Sequence, residues 1–293
     1  CYSFGTFDGR CQMHRERVSE NVYWFQSDIY AQVTAGAIVG PQWAVLIDTL
    51  MPQETILIRN YLESELLIPV RYIINTHHHA DHCWGNCLFP KATVIGHSLC
   101  RRLMLEQSES ALAETGKDNP LFRDVCIQPP SITFSEGSLS IKVGKKQLSI
   151  LLTPGHSADG ISVLLEEDRI FFAGDAFMPI PYILDGDFDT LVQTTKKIGE
   201  IGLENIVQGH GDVILRGEID DAVKSNLNYL KSIQRLAKSA LKKRNGLDFL
   251  LHQEVEDCGK SRVAIGGLAQ QLHLRNLRWL YHLMAQEMVT SAE

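Results

Sequence analysis

Apolar positions along the chain follow two periods, and the change between them divides it. Short β-branched or aromatic runs at residues 22–26, 32–39 and 43–47 are bounded by turn residues, which predicts strands. Pro52 then opens a helical pattern in which Ile56, Ile58, Leu62 and Leu66 share one face through to Leu67. A strand at 70–75 ends in a polar run at 76–82. After it come a short strand at 93–96 and a helix over about 98–113, with Ser98 as its expected N-cap. The style repeats with strands at 132–134, 139–143, 147–152, 161–165 and 169–173, a helix near 189–201 and a strand at 205–208. Two β-rich halves, each carrying helices, predict an α/β (α+β) fold with two sheets face to face and helices outside. From Glu218 the pattern is almost wholly helical, over 219–244, 247–256 and 268–288. The expected division is a domain over residues 1–216 and a helical cap or subdomain over 217–293.

Composition narrows the class. The 293 residues are 44% hydrophobic and 22% charged, enough to bury a sizeable core, which excludes a disordered chain. Twenty-eight basic residues against 35 acidic ones give a net charge of −7, so neither nucleic acid nor an anionic membrane is an expected partner. Residues 29–47 lack charge, but Gln32, Thr34, Gly36, Gly40, Pro41 and Gln42 break them, and two buried strands around a turn at 40–42 are expected instead of a membrane span. Seven cysteines at irregular spacing form neither a disulfide framework nor a paired zinc motif, which points to reduced thiols and a cytoplasmic protein. Numbering begins at Cys1, so removal of an export signal, and with it a secreted or periplasmic location, stays open.

The chemistry concentrates in histidine. Four of eleven histidines lie in Thr76-His77-His78-His79-Ala80-Asp81-His82. Imidazole and carboxylate are ligands that zinc and similar borderline metals prefer. In extended backbone His77 and His79 point the same way, and a turn after His79 would free Asp81 and His82 for a second ion. The same arrangement recurs: His156, Asp175 and His210 each follow an apolar strand in a glycine-containing loop, and Asp48 ends the strand 43–47. Loops at strand ends, gathered at one edge of a sandwich, form a shared cleft.

In the order Asp48, His-x-His-x-Asp-His at 77–82, His156, Asp175 and His210, the chain resembles the metallo-β-lactamase superfamily over about residues 20–215. The resemblance implies a four-layer αββα sandwich with a C-terminal helical extension and two divalent metal ions at its edge, zinc by default, with iron or manganese as alternatives. It implies that His77, His79 and His156 bind the first ion, that Asp81, His82 and His210 bind the second, and that Asp175 bridges both. Asp81, Asp175 and Asp48 are the implied catalytic carboxylates, with Asp48 bracing the ligand loop. His78 and Ala80 fall at variable positions. The implied reaction is hydrolysis of an ester-like bond (lactone, thioester, ester or phosphoester) in a small-molecule substrate by a metal-bridging hydroxide. The bridging aspartate is more similar to glyoxalase II, lactonases and the lactamase-like β 2 type than to true β-lactamases. The closing Gly-His-Gly-Asp at 209–212 departs from glyoxalase II, which argues against glutathione thioesters. A mononuclear iron oxidoreductase similar to a persulfide dioxygenase, and a regulatory relative with little turnover, stay open as alternatives.

Other features have plainer readings. Cys83 and Cys87 are expected to be packed, inert thiols. The apolar segment 177–182 either lines the cleft or packs on the core. Asp187 or Asp189 is expected to cap a helix, although Asp185, Asp187 and Asp189 have a calcium-like spacing. Lys224, Lys231, Arg235, Lys238 and Lys242 share one helix face, expected to be solvated, with an anion site as the alternative. Leu277, Leu280, Tyr281 and Met284 either cover the core or make a homodimer interface.

Overall fold

The computed structural model describes residues 13–119, 122–183 and 185–290. Strands β1 (Met13–Ser19), β2 (Val22–Ser27), β3 (Thr34–Val39), β4 (Ala44–Ile47), β5 (Val70–Ile74), β6 (Thr93–His97) and β7 (Ile132–Phe134) lie in sequence order in one sheet. The pairs from β1 to β4 are antiparallel and those from β4 to β7 are parallel. Parallel neighbours need crossovers. They are made by α1 (Pro52–Arg59), by α2 (Ala80–Cys83), and by α3 (Ser98–Leu103) with α4 (Glu109–Asp118). The second sheet runs β13-β12-β11-β10-β9-β8, from β8 (Leu139–Val143), β9 (Lys146–Leu152), β10 (Ile161–Leu165), β11 (Ile170–Gly174), β12 (Asn205–Gln208) and β13 (Ile214–Leu215). Only β11 and β12 are parallel there, and α5 (Phe188–Glu200) connects them.

Alternation along the strands sets the layers. Trp24, Ile38, Val45 and Ile74 of the first sheet pack against Ile150, Val163, Phe172 and Val207 of the second. The contact is close enough that a Cβ at Gly36 would lie 2.1 Å from the Phe172 ring. The opposite face of the first sheet, with Phe25, Ala37, Leu46 and Ile73, is covered by Ile58 and Leu62. The opposite face of the second, with Leu164, Phe171 and Ile206, is covered by Ile198 and Ile219. The result is a four-layer αββα sandwich.

The C-terminal block consists of α6 (Ile219–Leu241), α7 (Gly246–Leu251) and α8 (Ala269–Thr290). Its Tyr229, Ile233, Leu277 and Leu280 share a buried cluster with Met178, Ile180 and Ile183. Leu277 and Leu280 are therefore core residues, with Tyr281 and Met284 packed partly buried against them. The basic stripe on α6 is exposed.

Local expectations differ in places from what is seen, and the helix expected over about 98–113 is interrupted by π-type turns at Met104–Ser108. The cap of α3 is His97, whose Nδ1 accepts from the Leu99 N–H at 3.1 Å; Ser98 is already inside the helix. The periodic stretch after Pro52 is not one regular helix, because its last turns, Asn60–Glu65, widen to π-type geometry. Residues 29–47 fold largely into β3 and β4, and no helix among the described residues is long and apolar enough to cross a membrane. Of the seven cysteines, Cys1 and Cys11 lie outside the described residues, and Cys83, Cys87, Cys100, Cys126 and Cys258 are free thiols. Burial pushes the Cys83 thiol well above its usual range, so it is unreactive.

Candidate metal centre

Strand direction decides where the polar loops meet. The parallel pair β4 and β5 ends at Asp48 and at the 76–82 run; β9, β11 and β12, which run alike, end at His156, Asp175 and His210. The two edges are tied together. Thr34 N–H donates to Gly209 O at 2.8 Å, Ile161 N–H donates to Thr76 O at 2.8 Å, and Val33 bridges His210. The expected turn after His79 is present, with His79 in extended backbone at the N-cap of α2, so that Asp81 and His82 leave on a helix.

All seven predicted side chains converge. His79 Nδ1 lies 2.9 Å from His77 Nε2 and 3.0 Å from His156 Nε2. His210 Nε2 lies 3.6 Å from Asp81 Oδ2, and His82 Nε2 lies 3.9 Å from the same oxygen. Asp175 stands between these groups. Its Oδ2 is 3.3 Å from His156 Nε2 and 3.5 Å from His210 Nε2, while its Oδ1 is 3.2 Å from His82 Nε2. Two sets of ligand-type atoms, His77–His79–His156–Asp175 and Asp81–His82–His210, are each close enough to hold one ion.

The outer nitrogen of each ring fixes which atom points inward. His156 Nδ1–H donates to the Tyr182 carbonyl at 2.7 Å, and His210 Nδ1–H donates to the Ala31 carbonyl at 2.8 Å. His82 Nδ1–H donates to Asp48 Oδ2 at 2.8 Å, and His79 Nε2–H donates to Asp185 Oδ2 at 3.0 Å. The Thr76 hydroxyl donates to Asp48 Oδ2 at 2.7 Å and accepts from His77 Nδ1–H at 3.0 Å. With one proton of each ring held outward, five inward nitrogens face the cleft, the arrangement from which a metal can take a lone pair. A group with this donor chemistry fits. His82 Nε2 and Asp175 Oδ1 are both buried and make no hydrogen bond although they lie 3.2 Å apart, as atoms aimed at a cation would.

Electrostatics agree with that reading. Burial alone would raise the pKa of Asp175, but His210, His82 and His156 hold it well below the usual carboxylate range. Burial opposes a charge on His82, yet Asp175, Asp81 and Asp48 draw its pKa well up. The pocket thus concentrates negative charge where a proton or a metal ion would be held. Burial lowers His156 to about 4, so that ring is neutral at pH 7.

Asp48 is 2% exposed and turned away from the cleft. Besides His82 and the Thr76 hydroxyl, it accepts from the Thr76 N–H at 2.8 Å, with its backbone at a positive φ of 57°, which aspartate tolerates better than most residues. His78 points elsewhere: its Nδ1 lies 3.1 Å from both oxygens of Asp159, and although burial works against its charge, Asp159 and Asp185 raise it to about 9. Asp187 caps α5 by accepting from the Thr190 N–H at 2.7 Å. Asp185, which the sequence singled out only for its calcium-like spacing with Asp187 and Asp189, holds His79. Segment 177–182 is mostly core, with Phe177, Met178 and Ile180 buried and the Tyr182 ring beside His156. The sequence offered no signal for the Ala31 and Tyr182 carbonyls, since every residue has one.

Residues 30–243 match the model of the metallo-beta-lactamase superfamily. The chain belongs to that superfamily. A beta-lactamase-like protein 2 homolog from Caenorhabditis elegans is 25% identical over 66% of this chain and 61% of its own length. The thioesterase pkgB from Emericella nidulans is 25% identical over 58% of this chain and 43% of its own. The chain thus spans about half the length of the curated superfamily relatives it matches. Among solved structures, a metallo-beta-lactamase from Pontibacter korlensis superposes with a TM-score of 0.61 at 20% identity, covering 75% of this chain and 99% of that one, a likeness of fold.

Proposed function

We propose that this superfamily member is a binuclear metal-dependent hydrolase of a small substrate with an ester-like bond: a lactone, thioester, ester or phosphoester. The observation that carries the reading is Asp175, which stands between the two histidine sets, its Oδ2 near His156 of one and His210 of the other and its Oδ1 near His82, with the outer nitrogen of each ring hydrogen-bonded away from the cleft. His77, His79 and His156 would hold one divalent ion, Asp81, His82 and His210 the other, and Asp175 both. Bound ions would polarise the scissile carbonyl or phosphoryl oxygen and acidify water enough to supply the nucleophile near neutral pH. Asp175 and Asp81 offset part of the cationic charge. Asp48 acts from behind, fixing the His82 ring and the Thr76 backbone. Imidazole and carboxylate suit zinc, with iron and manganese also compatible. A thioesterase among the relatives favours an acyl–sulfur or acyl–oxygen bond over the acyl–nitrogen bond of a β-lactam, without naming the acyl group.

The test joins elemental analysis of the purified protein to turnover assays on lactone, thioester, phosphodiester and β-lactam substrates. Two ions per chain and hydrolysis of a member of the first three classes are expected. Asp175→Ala and His79→Ala should each lose metal and turnover together. A single iron per chain with oxygen consumption on a persulfide substrate would instead favour the one-ion oxidoreductase. A metal-free Asp175→Ala protein with full activity would refute the mechanism.

A further inference from the structure

Segment 178–183 passes His156 and supplies the carbonyl that orients it, yet the segment is poor in backbone donors: Pro179 and Pro181 have no N–H. Three of its backbone polar groups are met from the C-terminal helices. Asn276 on α8, fully buried, closes around Tyr182 from both sides. Its Nδ2 donates to Pro181 O at 2.7 Å and its Oδ1 accepts from Ile183 N–H at 3.1 Å. Between those two bonds lies the Tyr182 carbonyl that accepts from His156 Nδ1–H. Asn226 on α6 holds the start of the segment by donating to Met178 O at 3.1 Å. We propose that Asn276 is a positioning residue for His156, so that the C-terminal helices form part of the metal centre. This rests on the metal-centre reading above.

A buried carboxamide is costly unless all its groups are used. Here they are: Asn276 Nδ2 also lies 3.1 Å from Tyr229 Oη. A hydrophobic side chain would fill the same space but leave Pro181 O and Ile183 N–H unpaired. The same block reaches the second acceptor loop independently. Gly266 N–H donates to Gln32 Oε1 at 3.0 Å, next to Ala31, whose carbonyl orients His210. That contact comes from a strained turn in which the buried Ile265 adopts a positive φ of 56°. The extension therefore contacts both loops whose carbonyls set ligand tautomers. Groups that hydrogen-bond a metal ligand directly commonly govern metal affinity by about 10- to 100-fold, and Asn276 acts one bond further out, through the Tyr182 carbonyl.

The experiment loads wild type, Asn276→Ala and His156→Ala with cobalt(II), reads the visible absorption bands, and measures zinc affinity by competition with a chromophoric chelator. Circular dichroism of the metal-free proteins checks the fold. The expected result is an affinity for one ion weakened by several-fold to about 10-fold in Asn276→Ala, the lower end of what losing a ligand's direct partner costs, with change in the same cobalt band that His156→Ala loses and the other ion within about twofold of wild type. Should Asn276→Ala not fold, Asn276→Asp, which keeps the acceptor for Ile183 N–H but removes the donor to Pro181 O, is expected to show the same selective loss. Wild-type affinity for both ions in a folded Asn276 variant would overturn the proposal, as would equal weakening of both. A wild-type protein that binds no cobalt or zinc would instead overturn the metal-centre reading on which it rests.

Discussion

At the scale of single residues, the space around Asp175 is the tightest constraint. A Cβ at Gly209 would lie 2.0 Å from Asp175 Oδ1 and 2.6 Å from the Gly174 carbonyl carbon. The backbone there has nowhere to go, so Gly209→Ala is expected to move Asp175 and abolish binding of at least one ion. Elemental analysis of the purified variant checks it, and two ions at full occupancy would count against the geometry. The seven inward side chains were legible because a metal ligand must be a particular kind of residue, and histidine and aspartate at strand ends are conspicuous in a sequence. The groups that orient them were only partly legible. Asp48 stood out as an aspartate at a strand end, whereas Asp185 sat among two other aspartates of similar spacing. The Ala31 and Tyr182 carbonyls are main-chain groups chosen by the path of the loop, which side-chain identity does not report.

At the scale of elements, the strands that bury one face on each sheet were legible from their apolar runs. β1 was not, because its sequence, Met-His-Arg-Glu-Arg-Val-Ser, is that of an exposed edge strand whose register comes from pairing with β2. The π-type turns at Asn60–Glu65 and Met104–Ser108 keep helical periodicity, so no sequence pattern separates them from the helices they continue. The cap of α5 gives a simple check: Asp187→Ala should destabilise the protein by about 1 kcal/mol in denaturant unfolding, without change in metal content. A second check concerns Lys260, whose Nζ donates to Asn226 Oδ1 at 2.5 Å and whose pKa burial lowers to about 8. Between about pH 8 and its ordinary 10.5 the unfolded chain holds a proton that the folded chain lacks, so stability contributed at this site rises with pH over that window. Wild type minus Lys260→Met should therefore show a rise of no more than about 3 kcal/mol from pH 8 to 10.5, measured by chemical denaturation, and a flat difference would contradict the buried-ammonium reading.

At the scale of the whole molecule, ligands arrive from both sheets, so bound ions would bind the folded state alone. Dialysis against a chelator is expected to lower the unfolding free energy by about 2.7 kcal/mol per ion held at a hundredfold excess over its Kd, with recovery on adding the metal back. Calorimetry of chelated and reloaded protein measures this, and equal melting temperatures would speak against ions that span the sheets. The order of the ligands along the chain has a consequence for biosynthesis. His77 and His79 emerge early, but His156, Asp175 and His210 follow one after another on the second sheet, and the α8 carboxamide that steadies His156 comes later still. A chain still on the ribosome at that stage offers a migrating ion the four imidazoles and one carboxylate of residues 77–82, without the bridging aspartate or the ligands of the second sheet. The complete cage exists only once the second sheet and α8 have followed the first, so full-affinity capture is tied to the folding of the late segments.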